Sequence, residues 1–153
     1  MIYVCIFAKI KCLRKMKNYL ILAFAMLATT VFAQNSDTKF KGEISNDKYN
    51  VYIKMNFYEN NIVVPGQDVL GELPGFFAYR KDARTWLFTD AEIVDENTVQ
   101  LDIINDYGSE DLKATLTYNP DGTYTLRQLG GSTIKIAVNR KWVKIPKTLV
   151  LHR

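Results

Sequence analysis

The sequence predicts an all-β fold: a single antiparallel meander barrel of about eight strands. Three observations carry this. Apolar and polar residues alternate with period two over several short stretches. Turn residues separate those stretches at short intervals. Two successive turns bring like residues opposite like. Thr98–Ile103 places Val99, Leu101 and Ile103 on one face and Thr98, Gln100 and Asp102 on the other. Asp111–Tyr118 sets Leu112, Ala114, Leu116 and Tyr118 against Lys113, Thr115 and Thr117, and Thr123–Arg127 sets Tyr124 and Leu126 against Thr123, Thr125 and Arg127.

The turns fix the register. With Pro120-Asp121-Gly122 as a three-residue loop, Asn119 lies opposite Thr123, Tyr118 opposite Tyr124, and Leu116 opposite Leu126. Proline presets φ at the first loop position, and Gly122 takes the left-handed conformation of the bulge that closes such loops. A slip of one residue would turn every side chain to the wrong face. Asp95-Glu96-Asn97 reads as a similar turn, with Asn in the left-handed region, so that Ile93 meets Val99 and Ala91 meets Leu101. Closure of such a meander removes both sheet edges, which favours an up-and-down barrel. A two-sheet sandwich is the alternative for the same strand count.

The other elements follow in chain order. Phe40–Ile44 reads as a short first strand, and Tyr49–Tyr58 as a long one with Val51, Ile53, Met55 and Phe57 on one face and Tyr52, Lys54, Asn56 and Tyr58 on the other. Ile62-Val63-Val64 reads as the next strand, ended by Pro65 or set at an edge by it. Residues 66–75 read as a loop leading into Phe76–Arg80. Arg84–Val94 has bulk on both faces, Trp86 and Phe88 against Leu87, Ala91 and Ile93. It is therefore either covered on both sides or flipped by a bulge. Ser132–Val138 fits a strand or a short helix. Asn139–Lys144 is basic around Trp142, and Thr148–His152 is a last strand with Leu149 and Leu151 on one face.

Residues 1–33 stand apart from this pattern. Met16-Lys17-Asn18 is basic, Tyr19–Ala28 is apolar, and Val31-Phe32-Ala33 precedes Gln34, the order of a secretory signal peptide. A membrane anchor is the competing reading, but the apolar run falls short of the ~20 residues a span needs. Residues 1–15 form a second apolar-then-basic block, and the simpler explanation, that translation begins at Met16, is the expectation. The leader carries Lys9, Lys11, Arg14, Lys15 and Lys17 and no acidic residue. Of 20 basic and 16 acidic residues, residues 34–153 therefore keep 15 and 16, a net of −1. The overall basic charge belongs to the leader and supports no nucleic-acid or membrane-surface partner. Both cysteines, Cys5 and Cys12, lie there too, so residues 34–153 hold no disulfide, thiolate metal site or cysteine nucleophile. What remains is one exported β domain of 120 residues, periplasmic or extracellular, with no membrane span.

The size, the leader, the hairpin-linked meander and the late basic segment around Trp142 resemble the small secreted lipocalin-like (calycin-like) β-barrel proteins of Gram-negative bacteria. Phe40-Lys41-Gly42-Glu43 stands where that family has Gly-x-Trp, so the resemblance is one of architecture. It implies a binding protein for a small apolar ligand and carries over no particular one.

The residues point to no enzyme. The one histidine, His152, is next to last, and Ser36, Ser45, Ser109 and Ser132 lie in no Gly-x-Ser-x-Gly elbow. Asn105–Asp111 is a dense polar loop. It departs from calcium-loop spacing and reads as a solvated connection with Gly108 at positive φ. No metal or cofactor is expected. The expected function is non-enzymatic binding of a small apolar or amphipathic ligand, with a protein-protein interaction module or inhibitor as the alternative. A hydrolase built from carboxylates such as Glu72 and Glu110 is a further alternative. The candidate ligand-binding residues are Tyr79, Arg84 and Trp86. Arg84 and Trp86 share a face by alternation, Tyr79 precedes them across the Lys81-Asp82-Ala83 turn, and an arginine beside an aromatic wall suits a carboxylate headgroup. The leader reading predicts that the exported protein begins at Gln34. N-terminal sequencing checks this, and a retained Met1 or Met16 contradicts it.

Overall fold

The computed structural model describes residues 38–153, so the leader, the start at Met16 and the cleavage before Gln34 lie outside the described residues. Twelve strands form among the described residues: β1 (Lys41–Asn46), β2 (Val51–Asn56), β3 (Ile62–Val63), β4 (Glu72–Leu73), β5 (Gly75–Tyr79), β6 (Thr85–Asp95), β7 (Thr98–Asn105), β8 (Asp111–Tyr118), β9 (Tyr124–Gly131), β10 (Lys135–Val138), β11 (Lys141–Lys144) and β12 (Thr148–Leu151). There is no helix among the described residues, and hence none long and apolar enough to cross a membrane. Eight strands make one antiparallel sheet in the order β1-β2-β5-β6-β7-β8-β9-β12, while β3–β4 and β10–β11 are separate two-stranded ribbons.

The sheet curls until its two edges meet. Ser45 and His152 exchange backbone hydrogen bonds of 2.7 and 2.9 Å, and the Asn46 amide donates to the Val150 carbonyl at 2.7 Å. The Arg153 guanidinium donates to the carbonyls of Thr38, Lys39 and Lys41. The result is a nearly closed barrel, consistent with a lipocalin-like architecture, and not two facing sheets.

Side chains fill the lumen. Val51, Ile53 and Met55 from β2, Phe77 from β5, Trp86 and Phe88 from β6, and Val99, Leu101 and Ile103 from β7 all point into one buried cluster with Leu116, Leu126 and Leu151. At one end, Phe40 packs on Phe57 with ring centres 6.0 Å apart and on Tyr124 at 6.5 Å, and Phe57 reaches Phe88 at 6.1 Å. The Tyr124 hydroxyl donates to the Lys39 carbonyl at 2.6 Å. Burial pushes its pKa up, so it remains a neutral donor.

The expected registers form. Leu116 pairs with Leu126, Thr117 with Thr125 and Tyr118 with Tyr124, and Gly122 has φ +84°. Ile93 pairs with Val99 and Ala91 with Leu101. The turn between them differs from expectation: Asp95 pairs with Thr98, and Asn97 lies outside the left-handed region. The Asp95 carboxylate accepts the Asn97 backbone N–H at 2.8 Å and shapes the turn instead.

Both readings of the two-faced strand hold at once. Leu87 packs outside the barrel with Phe76, under Val64 and Leu73 of the β3–β4 ribbon. A register shift between Phe88 and Asp90 then returns Ala91 and Ile93 to the Phe88 side, not to that of Leu87. Ile62-Val63-Val64 accordingly joins no barrel edge. It folds over the outer face, because the apolar outer side of Phe76 and Leu87 must be covered.

Adjacent glycines in β9 offer a test. A Cβ on Gly131, at φ +88°, would lie 2.5 Å from the Asp111 carbonyl oxygen, whereas one on Gly130 meets nothing within 4 Å. Gly131→Ala is expected to destabilise by roughly 1–3 kcal/mol through clash and strain. Gly130→Ala should change stability little, and urea unfolding of the two variants measures the difference.

Candidate functional site

Antiparallel order sends the connections at residues 47–50, 80–84, 106–110 and 132–147 to one end of the barrel, the hairpin end. There Asn139 (φ 50°) and Arg140 (φ 65°) form the two-residue turn that matches the twist of a tight hairpin. Strand alternation divides the β10–β11 hairpin. Ile136, Val138 and Val143 pack on the barrel core. Lys135 pairs with Lys144, and Ala137 with Trp142, on the opposite face. The segment that fits either a strand or a helix by sequence is thus a strand with Ile136 inward.

A buried amide ties the hairpin down. Gln128 lies on the inward face of β9, its amide nitrogen donating to Pro146 O at 2.9 Å while its oxygen accepts Ile134 N–H at 2.9 Å. Ile145 N–H bonds Ile134 O at 2.8 Å, closing the hairpin base. Trp86, 6% exposed, donates its indole N–H to Lys135 O at 3.0 Å.

On the other side, Asn105 shapes the β7–β8 connection. Its side-chain oxygen accepts Ser109 N–H at 2.8 Å, its amide donates to Ser109 Oγ at 3.0 Å, and Gly108 has φ +67°. Between this loop, the start of β6 and the hairpin lies a concavity of about 260 Å³. Arg84, Thr85, Trp86, Asn105, Asp106, Tyr107, Ser109, Glu110, Lys135 and Trp142 line it. The Arg84 guanidinium stacks over Trp142, 4.8 Å from the ring centroid. Asp82 holds Arg84 by accepting its backbone N–H at 3.0 Å and Nε at 3.1 Å. The backbone bond from Arg84 holds the Asp82 carboxyl below its usual range, with the guanidinium contributing, so it is anionic at neutral pH. Lys135 Nζ and Glu110 Oε1 pair at 2.6 Å. Trp142 is 61% exposed and Tyr107 is 78% exposed.

Of the three sequence-derived candidates, Arg84 and Trp86 line this concavity. Tyr79 does not; it ends β5 half-buried against the barrel core. Trp86 faces mostly inward and is covered by core. Tyr107, Lys135 and Trp142 are lining residues that none of the sequence candidates included. The signal for Lys135 and Trp142 is charge, since residues 122–153 hold seven basic residues and no acidic one; no such signal marks Tyr107.

The remaining candidates lie elsewhere. His152 Nε2 is 3.3 Å from Asp47 Oδ2, and no serine hydroxyl among the described residues is hydrogen-bonded to it. Glu110 lines the concavity and Glu72, in β4, does not. Among the described residues no three His, Cys, Asp or Glu side chains gather in a metal-binding group. A wider, more open depression of about 770 Å³ lies along β7–β9, where the Asp102 carboxylate pairs with Lys113 at 2.7 Å.

Compared with family models, curated proteins and solved structures, the chain matches none.

Gln128 gives the test of how the site is held. Gln128→Leu leaves the Ile134 N–H and the Pro146 carbonyl unpaired, each costing roughly 1–3 kcal/mol. Amide exchange at Ile134 and Ile145 should accelerate more than exchange at Leu101 or Leu116.

Proposed function

We propose that the chain is an exported, non-enzymatic binding protein of lipocalin-like type that recognises its target at the hairpin end, outside the lumen. The observation that carries this is the contrast between a lumen filled by side chains and an exposed Arg84–Trp142 stack beside exposed Tyr107. Tryptophan, tyrosine and arginine are the residues that most often dominate binding energy at interfaces. Here the arginine is already stacked and held by Asp82, which lowers the entropy lost on binding. The concavity, about 260 Å³, is near the lower limit of roughly 300 Å³ for pockets that engulf a small molecule. It suits one protruding group of a larger target better than an enclosed apolar ligand. This favours an interaction module over a lumen-type carrier.

The two tryptophans separate these readings. Trp86→Phe leaves Trp142 as the reporter, and Trp142→Phe leaves Trp86. Titration with fatty acids, bile acids, glycans and peptides should produce an emission change in the first variant only. Arg84→Ala and Tyr107→Ala should each weaken that target by about tenfold or more. A fatty acid that changes Trp86 emission and binds Arg84→Ala with full affinity returns the site to the lumen.

A further inference from the structure

The charges of this barrel are sorted by end. The hairpin-end connections at residues 47–50, 80–84, 106–110 and 132–147 carry nine basic and four acidic residues. The lead-in 38–40 and the connections 57–74, 96–97 and 119–123, which leave the opposite end, carry one basic and five acidic residues. At the hairpin end, Arg80, Arg84 and Lys135 are each paired with a carboxylate. Arg140, Lys141, Lys144 and Lys147 are exposed and, among the described residues, take part in no ion pair or side-chain hydrogen bond. These four flank Trp142 along the hairpin and its exit.

We propose that this end docks the protein peripherally on an anionic lipid surface, with the hairpin cations at the headgroups and Trp142 and Tyr107 at the apolar boundary. The proposal deepens the reading above and rests on it. Free cations alone would fit any polyanion. The two exposed aromatic side chains beside them decide for a bilayer, because tryptophan and tyrosine favour the interface where an apolar body and a polar tip are both satisfied. Lysine and arginine near an anionic leaflet add attraction residue by residue. Of the four carboxylates at this end, Asp82 and Glu110 are paired with Arg84 and Lys135, and Asp47 lies beside His152. Asp106, with no ion pair among the described residues, is left to oppose it against nine basic residues.

Sedimentation of the purified protein with vesicles tests this. It should partition onto phosphatidylcholine vesicles in which roughly a third of the lipid is phosphatidylglycerol, not onto phosphatidylcholine alone, and added salt should release it. The Lys141→Glu/Lys144→Glu double variant should bind at least about tenfold more weakly. Trp142→Ala should also weaken binding, and Lys54→Glu, at an exposed lysine of β2, should not. Circular dichroism melts confirm that each variant is folded. Equal partition onto both vesicle types, or equal loss with Lys54→Glu, overturns the proposal. Retention on immobilised polyglutamate or dextran sulfate without vesicle binding overturns it too, in favour of an acidic protein or glycan. If vesicles fail while another target acts through Trp142, only the lipid assignment falls. If vesicle binding survives all the hairpin substitutions, the hairpin-end reading falls with it.

Discussion

An eight-stranded barrel has interior room for a filling of side chains or for a small ligand, and here the side chains take it. Phe40, Phe57, Phe77, Phe88, Trp86 and Tyr124 meet inside the sheet and are all nearly inaccessible to water. Removing one such ring from a packed core costs about 3–5 kcal/mol, so an internal ligand would have to repay more than one of those losses. The same filling explains the closure. The β1–β12 seam rests on few backbone bonds, and Ile44 and Leu151, on either side of it, are buried in the shared cluster. With the lumen filled by side chains, the proposed recognition falls to the ends and the outer face.

The two ends are finished differently. Phe40 and the chain leading into β1 cover one, with the Tyr124 hydroxyl anchored on Lys39 and the Lys39 ammonium 5.3 Å from the Tyr118 ring centroid. The β10–β11 hairpin covers the other and needs a buried polar tie, Gln128, because its strands join no barrel edge. A ribbon fixed on its inner face by Ile136 and Val143 and open on its outer face holds Trp142 out in water. The fold gives no packing reason for that exposure. The hairpin beneath it is packed on the core and tied by Gln128, which fixes where Trp142 stands.

The meander from β6 to β9 was legible because its information is local. Period-two alternation assigns faces, and Pro120-Asp121-Gly122 sets the register without knowledge of the rest of the chain. Elements whose partners are distant were not legible. Ile62-Val63-Val64 looks the same whether it joins a barrel edge or folds over Leu87, and Ile134 and Ile136 serve a helix or a strand equally well. The Arg84–Trp142 stack joins residues far apart in sequence that share no pattern, so only Arg84 could be tied to Trp86 in advance. One missed signal was present. Gln128 follows Tyr124 and Leu126 on an inward face, where an apolar residue is expected, and a polar residue at such a position calls for a buried partner.

Net charge misled for a related reason: it is a sum, and a sum discards position. Residues 34–153 total −1, yet antiparallel order delivers alternate connections to alternate ends and so separates basic segments from acidic ones. Whether the two ends cancel depends on distance. A strand of eight residues, such as β7 or β8, runs about 26 Å at ~3.3 Å per residue. That is roughly three times the Debye length of ~8 Å at physiological ionic strength. A surface approaching the hairpin therefore meets Arg140, Lys141, Lys144 and Lys147 almost unopposed by the acidic connections at the other end. For a barrel whose lumen is full and whose ends differ in sign, the charge of the nearer end governs encounter, and the charge of the whole chain does not.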